Sequence, residues 1–418
     1  MPGPIHGRLS RRGLLSGGLA GAAAAALGGC ARVPDAPRFW AIGNEAASLP
    51  ALLPRLGLGH VEIQALPWSG AHQKLLTGYV GDALPDLAQV GNSWIAELAL
   101  LGALDPVPAD VVSASGQFDA VLASNRIGGR LMASPWYVDT RVQFYRTDLF
   151  AQAGYAAPPL EWQAWKAALA RIRARGTEFG VLLPLDEFEH LQTFALSAGA
   201  SFLRENGTRG AFSEPEFVAA LGFYKSLFDE RLAPVVAGAQ IANRWAEFAR
   251  GWFALYPSGP WMIGEMRERL PPDMQGRWAT APNPGPGGAG AAAPGGSSLV
   301  VFAASGRKRQ AWDIVRRLLE PGAQIALHHA TGNLPALRPA WRAADLAGDP
   351  VVAPFAQQLE LARALPKVPE WERVVTEMQV VADRMVRGEF TVRGAAAEMD
   401  ARVDAVLAKR RWMMERAA

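Results

Sequence analysis

The chain has 418 residues, 50% of them hydrophobic and 19% charged, so it carries enough apolar side chains for a core and is not a disordered polymer. One cysteine excludes an intrachain disulfide scaffold, and the length suits roughly two or three domains. Forty-two Lys plus Arg against 39 Asp plus Glu give a formal charge of +3, but the excess is Arg8, Arg11 and Arg12; from Cys30 onward each sign counts 39, leaving no net charge for a nucleic acid.

Residues 1–29 hold those three arginines and no acid, followed by the small, apolar run Leu14–Leu27. That run is shorter than the roughly 20 residues a bilayer-spanning helix needs. A basic start, a short apolar stretch and small residues before a cut site make a secretory signal over 1–29. Ser10-Arg11-Arg12-Gly13-Leu14-Leu15 resembles a twin-arginine export signal, with the general secretory route as the alternative. Leu27-Gly28-Gly29-Cys30 resembles a bacterial lipobox, which implies that the Cys30 thiol takes a diacylglycerol. Residues 30–38, with Pro34 and Pro37, then form a tether.

Beyond the tether, Arg38–Gly43 reads as a strand and Ser48–Leu58 as a helix. His60–Leu66 alternates like a strand, and Trp68–Val80 has helical spacing. Leu87–Val90 is a short strand leading to a helix over Ser93–Leu101. This β-α-β-α order predicts an α/β layer with a mainly parallel sheet. Helical patterns follow at Trp162–Arg175, Phe188–Ala200 and Pro215–Arg231. Trp252–Tyr256 is a strand candidate and Pro260–Leu270 a helix. Residues 282–296 are too rich in Gly and Pro for a helix or a central strand. Ser297–Ala303 is again a strand. The rest is amphipathic helix, ending in a tail, Trp371–Arg411, broken by Gly388 and Gly394. No stretch after the N-terminal segment is apolar enough to span a membrane.

Taken in order, several short motifs resemble the bacterial extracellular solute-binding proteins of carbohydrate ABC importers. They are Phe39-Trp40-Ala41-Ile42-Gly43-Asn44-Glu45, Leu66-Pro67-Trp68, Leu84-Pro85-Asp86-Leu87, and Pro135-Trp136-Tyr137-Val138-Asp139 with Phe144-Tyr145-Arg146. Gly251-Trp252-Phe253-Ala254, Ser258-Gly259-Pro260-Trp261, Gly295-Gly296-Ser297 and Asn333-Leu334-Pro335 continue the series. The resemblance spans nearly all of the chain after Cys30. It implies a two-lobed α/β fold of the type II periplasmic-binding-protein kind. Residues 39–137 plus 296–342 should form one lobe and 138–295 plus 343–418 the other. It implies a monomer, without cofactor or metal, that delivers a carbohydrate to two membrane permease subunits powered by a cytoplasmic ATPase. Asn44-Glu45, Gly91-Asn92-Ser93-Trp94, Trp136-Tyr137-Val138-Asp139 and Asp186-Glu187-Phe188 resemble most the binders of α-glucosides, of the maltose and trehalose types.

The residue types suit a sugar independently. Pyranose C–H faces stack on aromatic rings, and hydroxyls pair with carboxylates, amides and guanidinium groups. The chain has 14 Trp against 6 Tyr. Trp162, Trp165, Trp245 and Trp312 lie in helical patterns and are expected to be core. Candidates at strand ends and loops, where α/β sheets bind ligands, are Asn44, Glu45, Asn92, Ser93, Trp94 and Asp139. Ser93 or Asn92 could instead cap a helix. Trp136 and Tyr137 either line the site or pack the hinge. Glu187 either meets the ligand or complements a helix dipole. Trp261 is expected to be a stacking platform. Trp68, Gly296, Ser297 and Trp371 complete the set.

Other chemistries lack their signatures. Gly285-x-Gly287-x-x-Gly290 matches a dinucleotide fingerprint formally, but prolines surround it and no helix opens on it. Neither a phosphate-binding loop nor a zinc-protease motif occurs, and no nucleophile elbow is present. The His328-His329 pair points to different helix faces. Three alternatives stay open here: a glycerol-phosphate or polyol binder, a secreted glycoside hydrolase, whose cleft also needs carboxylates and aromatics, and a structural envelope lipoprotein.

Overall fold

The computed structural model describes residues 36–112 and 116–417. The signal over 1–29 and Cys30 lie outside the described residues. Ten strands build two sheets, with helices packed on both. They are β1 (Arg38–Ile42), β2 (Glu62–Leu66), β3 (Leu87–Gly91), β4 (Ser134–Asp139) and β5 (Val142–Arg146), then β6 (Phe179–Val181), β7 (Phe253–Ser258), β8 (Trp278–Ala281), β9 (Gly295–Val301) and β10 (Leu334–Pro335). The first sheet runs β10-β4-β9-β3-β1-β2, and the second β8-β5-β7-β6.

The chain passes between the sheets three times. β4 ends at Asp139 in the first sheet and β5 begins at Val142 in the second. β9 returns to the first sheet after the small ribbon at Pro284–Gly285 and Gly288–Ala289. After β10, helix Ala353–Glu360 packs against β5. These crossings make a two-lobed α/β fold with its cleft between the sheets.

The expected mainly parallel sheet requires correction. β1 pairs in parallel with β2 and β3, as the opening β-α-β-α order implies. β9, which arrives from the other lobe, enters antiparallel to β3 and β4, and β10, reached from β9 through helices Lys308–Leu318 and Pro321–Thr331, keeps that direction against β4. A chain that crosses from another lobe is not held to the helical return that makes neighbouring strands parallel. The tail also differs. Gly388, at φ +91°, ends helix Trp371–Val386, but Gly394 lies inside helix Val392–Val406, its N–H accepted by the Thr391 cap. In a first turn, glycine loses no intrahelical partner.

Four core clusters support the cleft among the described residues, one of them around Phe144, Phe253, Trp278 and Phe355 of the second sheet and its helices. On one face of the first sheet Phe39, Trp136, Leu299 and Trp312 pack together, and on the other Trp40, Leu75, Val90 and Phe302. The second lobe is aromatic: Trp162 stacks on Phe223 with centroids 4.4 Å apart, and Trp165, Phe194 and Phe212 are buried with them. Among the described residues no helix is long and apolar enough to cross a membrane.

Candidate ligand-binding site

A cavity of about 670 Å³ lies between the sheets. From the first lobe it is lined by loops at the C-terminal ends of β1, β3 and β4, the expected place in an open sheet. Asn44 and Glu45 follow β1 at the start of helix Gly43–Leu52. Asn92, Ser93 and Trp94 form one 3-10 turn after β3. Asn92 ties β3 to β9, donating to the Gly295 carbonyl at 3.1 Å and accepting from the Ser298 hydroxyl at 2.7 Å.

Aromatic surface faces the cleft from both lobes. Trp68, first residue of helix Trp68–Val80, remains 42% exposed and meets Trp94 edge-on at 5.7 Å. Trp261, first residue of helix Trp261–Arg269, remains 38% exposed, and the Arg141 guanidinium sits 4.6 Å above its ring. Indoles left this open cost burial energy in the free protein, and a flat apolar ligand face would recover it. Trp371 also lines the cleft but is largely buried against Phe202.

Arg141 organises the polar centre. Its Nη2 lies 2.8 Å from Glu189 Oε1, and its Nη1 3.7 Å from Asp139 Oδ1. Burial pushes the Asp139 carboxyl above the ordinary range, the charges of Glu189 and Glu45 push the same way, and Arg141 and the Gly296 N–H oppose them. Gly295 and Gly296 are required beside it. A Cβ on Gly295 would fall 1.9 Å from Asp139 Oδ1, and one on Gly296, at φ +101°, 2.3 Å from the Tyr137 carbonyl. Glu45 is almost buried: Asn333 Nδ2 donates to its Oε1, whereas its Oε2 has no hydrogen-bond partner. Burial, then the charges of Glu45 and Asp139, hold the Tyr137 hydroxyl well above its ordinary pKa, so it stays a neutral donor. The lining carries Glu45, Asp139, Glu189, Glu265 and Glu372 against Arg141 and Lys367.

Asn44, Glu45, Trp68, Asn92, Ser93, Trp94, Tyr137, Asp139, Trp261, Gly296 and Trp371 are therefore brought together around one cavity. Trp136, Ser297 and Glu187 are not. Trp136 is the extra residue of a β-bulge opposite Ser297 and Ser298, where strand alternation is interrupted; it packs in the core 6.1 Å from Phe39, while Tyr137, buried in the same cluster, also lines the cleft. Ser297 is fully buried and its hydroxyl donates to the Val90 carbonyl. Glu187 turns away toward the second-lobe core, where it accepts from the Tyr256 hydroxyl and pairs with Arg244 and His190, both at 3.1 Å. Burial raises its pKa, but the hydrogen bond and charge of His190, with Arg244 and Tyr256, outweigh this and lower it from 4.5 to about 2.

Arg141, Glu189 and Asn333 were not among the sequence candidates, although each adjoins a motif that was. Arg141 lies two residues after Asp139, Glu189 two after Glu187, and Asn333 opens Asn333-Leu334-Pro335. Among the described residues no cluster of His, Cys, Asp or Glu is arranged to hold a metal ion.

Residues 59–325 match the family described as bacterial extracellular solute-binding protein. The chain belongs to that family. The sugar-binding protein MalE of Xanthomonas citri shares 41% identity with a TM-score of 0.88, over 91% of this chain and 99% of that one. The cyclic α-maltosyl-1,6-maltose binding protein of Arthrobacter globiformis shares 25% with a TM-score of 0.77, over 90% and 99%. Among curated relatives, the diacetylchitobiose binding protein DasA of Streptomyces coelicolor is 23% identical over 359 residues, 80% of this chain and 82% of that one. The family consists of binding proteins rather than enzymes.

Proposed function

We propose that this protein captures a neutral oligosaccharide of the α-glucoside class, such as maltose or trehalose, and delivers it to an ABC importer. The observation that carries the reading is the pairing of two open indoles, Trp68 and Trp261, on opposite sides of a cleft rich in carboxylates and amides. Rings take the C–H faces of the sugar, and Glu45, Asp139, Asn44 and Asn92 take its hydroxyls. Similarity to sugar-binding proteins of known structure supports the same reading. The acidic excess of the lining opposes a glycerol phosphate or any other anion.

The mechanism is lobe closure. Residues 39–137 plus 296–342 move against 138–295 plus 343–418 about the crossings near Asp139–Val142, Gly295 and Leu334–Ala353. A ligand that touches both lobes selects the closed state by the contacts it gains only there. The closed monomer then docks on two permease subunits, with a cytoplasmic ATPase driving import. The protein does no chemistry on the sugar. Export by a signal over 1–29, through the twin-arginine or the general route, and a lipid anchor at Cys30 would hold it at the outer face of the membrane.

The test is calorimetry and Trp fluorescence with maltose, maltotriose, trehalose and glycerol 3-phosphate, with product analysis after prolonged incubation. Saturable binding of an intact α-glucoside is expected. Selective binding of glycerol 3-phosphate, or cleavage of the sugar, would overturn the reading.

A further inference from the structure

A second cavity, of about 490 Å³, lies behind the segment Leu365–Lys367, which lines both it and the main cleft. Its charged lining consists of Arg363, Lys367 and Arg410, and no carboxylate is among its lining residues. The three cations are only weakly committed elsewhere. Lys367 Nζ donates to the Ala123 carbonyl at 3.1 Å. Arg363 is anchored through its backbone N–H, which donates to the Ala292 carbonyl, while its guanidinium extends over Gly199, with Nη1 3.5 Å from where a Cβ there would sit. Arg410 has its Nη1 3.9 Å from Glu370 Oε2, beyond hydrogen-bond distance, and its buried Nε has no acceptor.

We propose that this cavity is a binding site for a compact oxyanion, a phosphate group or its sulfate equivalent. Guanidinium forks match tetrahedral oxyanions with paired N–H donors, and a lysine adds a point charge. Gly199 follows the C-terminal end of helix Glu189–Ser197, where the absence of a side chain leaves space for the Arg363 guanidinium beside the cavity. Ser201 and Asn206 on the same wall add a hydroxyl and an amide. The volume exceeds that of inorganic phosphate, which leaves room for an ester substituent. The two cavities share the wall Leu365–Lys367 but differ in charge: carboxylates outnumber cations around the sugar cleft, whereas every charged residue lining this cavity is basic.

The test uses the full chain and inorganic phosphate, titrated calorimetrically at constant ionic strength, with no sugar present. One saturable site is expected. Arg363→Gln combined with Lys367→Gln alters side chains on exposed residues, and it should weaken phosphate binding by about tenfold or more, as for lost charge-assisted contacts. Arg393→Gln, on a distant exposed helix face, should leave it unchanged. A parallel arm measures co-sedimentation with phosphatidylglycerol vesicles. Vesicle binding that is competed by phosphate and lost in the double variant assigns a lipid headgroup as the source, and phosphate binding without vesicle binding assigns a soluble anion. No saturable binding in either arm, or equal affinity in the double variant, would overturn the proposal. Because no sugar is used, that failure is independent of the carbohydrate reading.

Discussion

Trp261→Ala is the sharpest test of the sugar cleft. The indole is 38% exposed in the free protein, which for a side chain of 150–250 Å² leaves roughly 80 Å² of ring for a ligand to cover. At about 25 cal/mol per Å², that area is worth about 2 kcal/mol, or roughly 30-fold in Kd. Removing the ring also frees Arg141, which now lies 4.6 Å above it, at a cost of about 0.5–1 kcal/mol in the unliganded protein. The two effects separate experimentally, since the first changes sugar affinity and the second the melting temperature. Calorimetry with the best α-glucoside of the panel reads affinity, and a thermal melt shows that the variant is folded. Trp261→Phe should retain part of the binding. If a folded Trp261→Ala protein binds the sugar as tightly as the parent, Trp261 is not a platform.

Asp139→Asn should raise the melting temperature at neutral pH yet weaken sugar binding by roughly 10–100-fold, the range for a lost hydrogen bond to a charged group. The sign follows from the raised folded pKa: the ionised carboxylate is disfavoured in the fold, so the contribution of Asp139 to stability is full at acid pH and lost as pH rises through that pKa. A variant that is less stable and binds normally would contradict the role given to Asp139. Glu187 has the opposite sign. Its drop from 4.5 to about 2 contributes roughly 3 kcal/mol above pH 4.5, lost as pH falls toward 2. Urea denaturation of Glu187→Gln should therefore show a flatter pH profile in that window, with little change in sugar affinity. Gly296→Ala should cost at least about 2 kcal/mol in a thermal or urea melt, since a Cβ at φ +101° would strike the Tyr137 carbonyl.

Much of the cleft was legible because its residues sit where strands end. Asn44 and Asn92 each follow a recognisable strand, and turns at strand ends must come to the surface, whereas Asp139 was legible only through its Pro135–Asp139 motif. The failures have one cause. Trp136 and Tyr137 are buried neighbours of similar chemistry, and only the β-bulge of β4 against β9 decides which one also reaches the cleft. Glu187 and Glu189 are two acids at one helix start, and packing on Tyr256 and Arg244 draws the first away while Arg141 holds the second in the cleft.

What the amino-acid sequence determined by itself was local. Turn residues, periodicity and caps set the spans, so Trp68–Val80 matches its expected helix and most others agree within a few residues. Those features arise from contacts a few positions apart and need no partner. The tertiary structure alone decided the antiparallel entry of β9 and β10, the facing of each side chain, and the union of Asp139, Arg141, Glu189 and Trp261 into one site. These depend on chain crossings that bring residues more than 100 positions apart into contact, where packing and desolvation outweigh any local preference.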